Sequence, residues 1–321
     1  MNAKNELKSI FTEYWKYLAV NTACKLKLFD KIFEGQNTLE ILCSTNQWDK
    51  PTLSNLVSYL VEDNYLIYKL NPVISLLEKG ELLIESNPKG LYYACLNWAE
   101  EHLNAWQHLD YSVKTAGSSF EKIYKKPYFD YLNDNPEKLI NYHKAIYEYA
   151  SDDYKELPNM IDFSIHNSIM DVGGGYGAAI SLIKEKNQNI RCILFDLQKV
   201  IEQITNENIV KLNGNFFESI PNVTEAILLT RVLHDWNDEK AKIILKKCFL
   251  ALPSNGTLYV IENCKDKIKT SISLLSLNMT AMCQSFERSS LEYIKLCEET
   301  GFNFQKDKKL NELQTILIFK K

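Results

Sequence analysis

The spacing of apolar positions divides this chain into two stretches with different grammar. Up to about Lys155 the pattern is helical. Tyr14, Tyr17, Leu18, Thr22, Leu26 and Phe29 recur with the period of a helix face, and Leu39, Ile41 and Leu42 open a second apolar stripe. Pro51 stands where the first turn of a helix tolerates a missing N–H, and Leu53, Leu56, Val57, Leu60 and Val61 follow at helical spacing. Residues 64–70 then read as a short β wing. Leu91, Tyr92, Cys95, Trp98, Leu103, Trp106 and Leu109 form a later stripe that suits a core or a subunit interface.

From Asn167 onward, strands alternate with helices. Residues 168–171, 192–196, 209–212, 226–230 and 257–262 are apolar runs of strand length. Between them, Ala178, Ile180, Leu182 and Ile183, then residues 200–204, then Ile243, Ile244, Phe249 and Leu252 mark helices. A helix over 291–299 precedes two strand-like pieces, 302–304 and 315–319. Repeated βα units predict an α/β, Rossmann-like doubly wound sheet with the terminal pair as an antiparallel hairpin on its edge. The expected division puts a mainly α-helical, winged-helix-like domain in residues 1–155 and the α/β domain in residues 156–321.

Composition narrows the functions. With 321 residues, 45% hydrophobic and 24% charged, the chain has ample material for two buried cores. The 37 Lys+Arg against 41 Asp+Glu leave a net charge of -4, without the one-sided excess that polyanion binding needs. A winged helix can bind DNA, but the outer face of the helix after Pro51 carries Thr52, Ser54, Asn55 and Ser58 instead of Arg and Lys. No nucleic-acid partner is expected. No run approaches the ~20 apolar residues that span a bilayer, so the expectation is a soluble, unexported, cytoplasmic protein with no membrane partner. The eight cysteines never form a C-x-x-C pair and read as reduced core thiols.

The strand over 168–171 ends in Asp171 and leads through Gly173, Gly174, Gly175, Tyr176 and Gly177 into a helix. Residues without Cβ let the backbone approach a ligand closely. Gly173, Gly175 and Ala178 also satisfy the G-x-G-x-x-A form of a dinucleotide fingerprint, with Asp196 near the ribose-binding distance. Against a pyrophosphate stands Asp171, whose carboxylate suits an ammonium group and a sulfonium better. The other strand ends also lack a Lys or Arg cluster for phosphates.

Four ordered segments carry a resemblance. Residues 169–177 (I-M-D-V-G-G-G-Y-G), 194–197 (L-F-D-L), 214–221 (G-N-F-F-E-S-I-P) and 231–239 (R-V-L-H-D-W-N-D-E) resemble the motifs of the class I S-adenosylmethionine-dependent small-molecule O-methyltransferases, the caffeate and isoflavone type of plants and its bacterial homologues. Leu28-Phe29-Asp30, residues 68–72, residues 128–132 and residues 299–302 also fall where that family has comparable segments, so the likeness covers nearly the whole chain. The V-L-H-D-W run is the specific part; the glycine loop is shared by many methyltransferases.

The resemblance implies S-adenosyl-L-methionine as cofactor and S-adenosyl-L-homocysteine as product. It assigns Asp171, Gly173, Gly175 and Gly177 to the methionine and ribose portions, and Asp196 to the ribose hydroxyls, with Leu197 beside it. Phe216 would flank the adenine, and Trp236 would pack near it. Asn215 replaces a common Asp and Thr230 replaces the Lys of plant members; both stay among the cofactor residues, as does Arg231. His234 would be the general base, its unperturbed pKa of ~6.5 being suited to take a proton from a phenol. Glu262 would bracket the imidazole, and Glu287 would be a second such acid; the alternative of an ordinary surface acid is more plausible for Glu287 than for Glu262. No metal is implied. Acceptor contacts are expected from Trp106, Tyr142, His143, Ile146 and Tyr149, and the N-terminal helices imply a homodimer. Beside an O-methyltransferase acting on a hydroxylated aromatic or polyketide-like metabolite, two readings stay open: an N- or C-methylating enzyme of the same fold, and a winged-helix regulator that senses S-adenosylmethionine. A nicotinamide-dependent oxidoreductase is disfavoured by Asp171.

Overall fold

The computed structural model describes residues 2–269 and 271–321. The chain divides into two compact units, one containing residues up to Glu100 together with Lys144–Glu148, the other Glu101–His143 and Tyr149–Lys321. The boundary therefore differs from the one expected after residue 155, and local contacts explain both departures. Glu148 accepts hydrogen bonds from the first-turn amides of Tyr93 (3.0 Å) and Ala94 (2.7 Å), which holds its short segment in the first unit. In the second unit, Ser118 Oγ donates to the carbonyls of Ala281 (2.8 Å) and Met282 (3.0 Å), tying the 101–143 region to the helix Ser273–Cys283.

The first unit is helical with a wing. The stripe from Tyr14 to Phe29 is split, because Lys27 takes a left-handed backbone (φ 52°) between the helices Tyr14–Lys25 and Leu28–Phe33. Thr38 and Asp49 cap the helices Leu39–Asn46 and Lys50–Glu62, each accepting from a first-turn amide. Strands β1 (Leu66–Leu70) and β2 (Val73–Leu76) then form an antiparallel hairpin, with Leu66 opposite Leu76. Leu28, Phe29, Leu42, Val57, Leu60 and Ile74 are buried in this unit's core.

The second unit is built on β3 (Ser168–Val172), β4 (Arg191–Asp196), β5 (Val210–Asn213), β6 (Ala226–Thr230), β7 (Thr257–Asn263), β8 (Asn303–Lys309) and β9 (Gln314–Lys320). Their order in the sheet is β5-β4-β3-β6-β7-β9-β8, parallel except for β9, which runs antiparallel to both β7 and β8. Successive residues feed opposite faces. Met170, Ile227, Leu229 and Val260 enter one core, while Ile169, Leu228, Tyr259 and Ile261 enter the other. Burial on both faces is what makes these strands continuously apolar instead of alternating. The strand order reverses between β3 and β6, and such a switch point opens a crevice at the carboxyl ends of the strands. The Gly173–Gly177 loop leaves β3 there, and the Arg231–Asp235 turn leaves β6. All eight cysteines are free, and no helix among the described residues is long and apolar enough to cross a membrane.

Candidate active site

The loop after β3 needs glycine for specific reasons. Gly173, Gly175 and Gly177 have φ of 70°, 57° and 75°, where a side chain is strained. Gly174 is excluded from bearing one by space: a Cβ there would lie 2.5 Å from Asp171 Oδ2 and 2.6 Å from Leu194 Cδ1. Asp171 is fully buried, accepts a hydrogen bond from the Thr230 hydroxyl at Oδ1 (3.3 Å), and has no partner at Oδ2. Burial pushes its carboxyl up to about 7. At the end of the neighbouring strand, Asp196 accepts from the amides of Gly175 (2.9 Å) and Leu197 (2.7 Å), and burial pushes it up to about 6.

An unpartnered buried carboxylate oxygen beside the glycines of this loop fits a ligand carrying an ammonium group. The carboxylate of Asp196 retains lone pairs for a diol. Phe216 closes over the loop: a Cβ on Gly173 would sit 3.2 Å from its ring. Trp236 packs edge-on to Phe217 (4.7 Å between centroids) and lies 5.4 Å from Phe129. Leu197 is partly exposed. Asn215 is committed to its own turn, its Oδ1 accepting from the Phe217 amide (3.0 Å) and its Nδ2 donating to Glu218 (3.2 Å). Thr230, expected among the cofactor residues, spends its hydroxyl on Asp171.

The turn after β6 carries the acid–base groups. His234 is buried, with Nδ1 3.2 Å from Glu287 Oε1 and Nε2 3.5 Å from Asp235 Oδ1. Glu262, at the end of β7, keeps a carboxylate oxygen within 4.8 Å of a ring nitrogen of His234. Its Oε1 accepts from the backbone amides of Leu233 (2.8 Å) and His234 (3.3 Å), so it fixes the turn on which the imidazole is mounted. Glu287 is the reverse of a surface acid: it is buried and holds the ring. The guanidinium of Arg231 lies on Glu287 (3.0 and 3.4 Å) and 3.7 Å from Glu262, within this cluster.

The charges of this cluster are interdependent. Burial alone would raise the Glu287 carboxyl, but Arg231 and His234 hold it down at about 2. Burial raises Glu262 and Asp235. For His234, burial and Arg231 oppose the charged ring, but Asp235, Glu287 and Glu262 outweigh them and leave it above its ordinary value. Arg288, next to Glu287, is buried and donates to the carbonyls of Leu233 (3.0 Å) and Trp236 (2.7 Å) and to Asp238 (2.8 Å), stapling the two loops together. Sequence reasoning missed Asp235, although it lies within the 231–239 segment that carried the resemblance, and Arg288, which neighbours Glu287.

Of the five expected acceptor residues, Tyr142 and His143 have their rings in contact, 5.2 Å between centroids. Trp106 Nε1 donates to Asn278 Oδ1 (2.9 Å), and Tyr142 sits edge-on to Tyr128 (5.7 Å) and Phe129 (5.9 Å). His143 stacks on Tyr176 of the glycine loop (5.2 Å, 25°), and burial pushes it down to about 4. Tyr149 is exposed, and Ile146 is exposed in the first unit. A cavity of about 300 Å³ is walled by Tyr128, Phe129, Trp236, Met282 and Cys283, with Asp235 at its edge. His234, Glu262 and Glu287 offer ligand atoms within 4.8 Å of one another, but the Arg231 guanidinium already lies on the two acids, which disfavours a second cation.

Residues 106–303 match the O-methyltransferase domain family. The chain is similar to a phenazine O-methyltransferase of Lysobacter antibioticus, 25% identical over 94% of this chain and 91% of that protein. It is also similar to a 3-amino-4-hydroxybenzoate 4-O-methyltransferase of Streptomyces cremeus, 27% identical over 94% and 85%. Among solved structures, human N-acetylserotonin methyltransferase in complex with S-adenosylmethionine superposes with a TM-score of 0.90 at 21% identity, covering 100% of this chain and 98% of that one.

Proposed function

The chain belongs to the S-adenosylmethionine-dependent O-methyltransferase family, and from that premise we propose that it methylates a hydroxyl of a small aromatic metabolite, with His234 as general base and no metal ion. When bound, S-adenosylmethionine supplies a methyl group already activated by positively charged sulfur. The protein's work is to position the acceptor and take its proton, and positioning alone can contribute ~7–11 kcal/mol. Asp171 would face the ammonium group, Asp196 the ribose hydroxyls, and Phe216 the adenine.

The observation that carries the reading is the arrangement at His234. Glu287, held ionised, is the stronger acceptor and favours the tautomer with the proton on Nδ1. The Nε2 lone pair is then the one available for an acceptor proton. Once protonated, Nε2 has Asp235 Oδ1 at 3.5 Å to stabilise the cation. The phenazine and aminohydroxybenzoate acceptors named for the relatives support an aromatic acceptor, and the aromatic walls of the cavity beside Asp235 suit such a ring.

The same reading includes a homodimer and, given the free thiols, a reducing compartment such as the cytoplasm. Leu7, Ile10, Phe11, Tyr14 and Trp15 make an apolar stripe at helical spacing that is more than half exposed, and a second copy would cover it.

The test is His234→Ala, assayed with a phenolic acceptor. Cofactor affinity should remain near wild type while turnover falls roughly 10²–10⁴-fold, the worth of a general base. Wild-type turnover on a weakly acidic phenol would refute the assignment. Full activity after exhaustive chelation is expected, and its loss would reject the metal-free mechanism.

A further inference from the structure

We propose that Arg231 is a positioning residue for the base: it locks the Glu287 carboxylate against the His234 ring, and its positive charge offsets part of the pull of the surrounding carboxylates on that ring. The inference rests on the reading of His234 as the base and goes beyond it.

Geometry supplies the first argument. Arg231 adopts a left-handed backbone, φ 56°, that non-glycine residues rarely take. The conformation is held by its amide donating to the Ile261 carbonyl (2.9 Å) on β7. It turns the guanidinium back over the strand ends, where Nη2 lies 3.0 Å from Glu287 Oε1 and Nη1 3.4 Å from Oε2. Glu287 Oε1 is the same oxygen that meets His234 Nδ1 at 3.2 Å. A forked contact to both carboxylate oxygens fixes the plane of the carboxylate as well as its position, which a single ammonium point charge does not do. The direction in which Glu287 accepts the Nδ1 proton is therefore set by Arg231.

Charge supplies the second. The groups facing His234 are Asp235 on its own turn, Glu262 from β7, Glu287 from the loop before the helix Ser290–Glu298, and Arg231. Arg231 in turn faces Glu287, Glu262 and the Tyr154 phenol. Three carboxyl groups surround one imidazole, and Arg231 is the cation among them. Without it, the ring would be drawn further toward its protonated form, which has no lone pair with which to act as a base. The side chain is 18% exposed, so solvent screens this effect only in part.

The experiment compares Arg231→Met and Arg231→Lys with wild type by two readouts. One is the NMR titration of the His234 ring in the unliganded enzyme, assigned by its absence in His234→Ala. The other is the pH profile of kcat/KM together with the cofactor Kd. In Arg231→Met the ring should titrate about one pH unit or more higher, and the acid limb should move with it. Turnover near neutrality then falls about tenfold and recovers as pH rises, while the cofactor Kd stays within about twofold. In Arg231→Lys the titration should move by less than half as much, yet kcat should drop at every pH because the fork is lost. If Arg231→Met does not fold, the lysine variant decides: full kcat there overturns the proposal. So does an unmoved His234 titration in Arg231→Met, or a cofactor Kd that rises in proportion to the lost turnover. The ring titration does not depend on catalysis. An acid limb that survives in His234→Ala would reject the base assignment and leave the titration result standing.

Discussion

Thr230 and Asp171, at the ends of adjacent parallel strands, share a hydrogen bond of 3.3 Å that satisfies only one carboxylate oxygen of the aspartate. The other oxygen is buried without a partner, and the carboxyl is held at about 7 by burial. A ligand cation placed there reverses the cost of ionisation. Binding of S-adenosylmethionine between pH 6 and 7 should therefore release protons, and affinity should rise with pH across that window. Calorimetry in buffers of different ionisation enthalpy measures the release, which Asp171→Asn should largely abolish. Buffer-independent enthalpies would contradict the expectation.

The unliganded protein should show the opposite trend in stability. A carboxyl whose folded value is raised binds its proton more tightly folded than unfolded. Its contribution is present in full below the unfolded value near 3.9 and is lost as pH rises through about 7 for Asp171 and about 6 for Asp196. The melting temperature without ligand should thus decline from pH 5 to pH 8, and less steeply in Asp171→Asn. A decline of equal slope in the variant would mean that other groups carry it.

The two glutamates should separate in mutants. Glu287→Gln removes the ionised partner of Nδ1 and should lower kcat by more than Glu262→Gln does. Glu262→Ala leaves the amides of Leu233 and His234 buried without an acceptor, a cost of about 1–3 kcal/mol per group in denaturant unfolding. Equal stability of Glu262→Ala and wild type would show that the turn does not depend on this carboxylate.

Acceptor acidity gives a sharper view of His234. A phenol already ionised at the assay pH needs no base, so the deficit of His234→Ala should shrink as acceptor pKa falls. A deficit that is constant across a series of substituted phenols would point to a structural role for the imidazole.

Association through the N-terminal stripe is open to direct measurement. Wild type should scatter light as a dimer at micromolar concentration, and Phe11→Asp or Ile10→Asp should weaken that dimer, because each places a charge among exposed apolar neighbours. A monomeric wild type with full turnover would remove the dimer from the reading.

The elements that were legible in advance are those whose pattern is local. β3, β4, β6 and β7 are short runs buried on both faces, and the glycine loop announces itself by the absence of side chains. The helix Ser273–Cys283 was not anticipated, because its buried positions Asn278, Met279, Ala281 and Met282 mix polar and apolar residues with little amphipathic contrast. The partner of His234 was legible only as a motif match: Glu287 looks like a surface acid until the Arg288 staple draws its loop onto the turn after β6. Arg231 opens a motif, but its contact with Glu287 carries no local signal. Its left-handed backbone and its fork onto Glu287 arise from strands that are distant in sequence. The assignment of residues 144–148 to the first unit likewise has no local signal, since it follows from Lys144 and Glu148 bonding to Tyr93 and Ala94, some fifty residues earlier.

The sheet's order also bears on how the enzyme comes into being. β9 lies between β7 and β8, with Thr315 opposite Glu262. Until β9 pairs with it, β7 is an open edge strand carrying Glu262, the acid that braces the turn bearing His234. Such edges invite pairing with other chains. A chain that has formed its glycine loop and the turn bearing His234 but has not yet seated β9 should therefore remain inactive and prone to mispairing, and competence should emerge when β9 inserts.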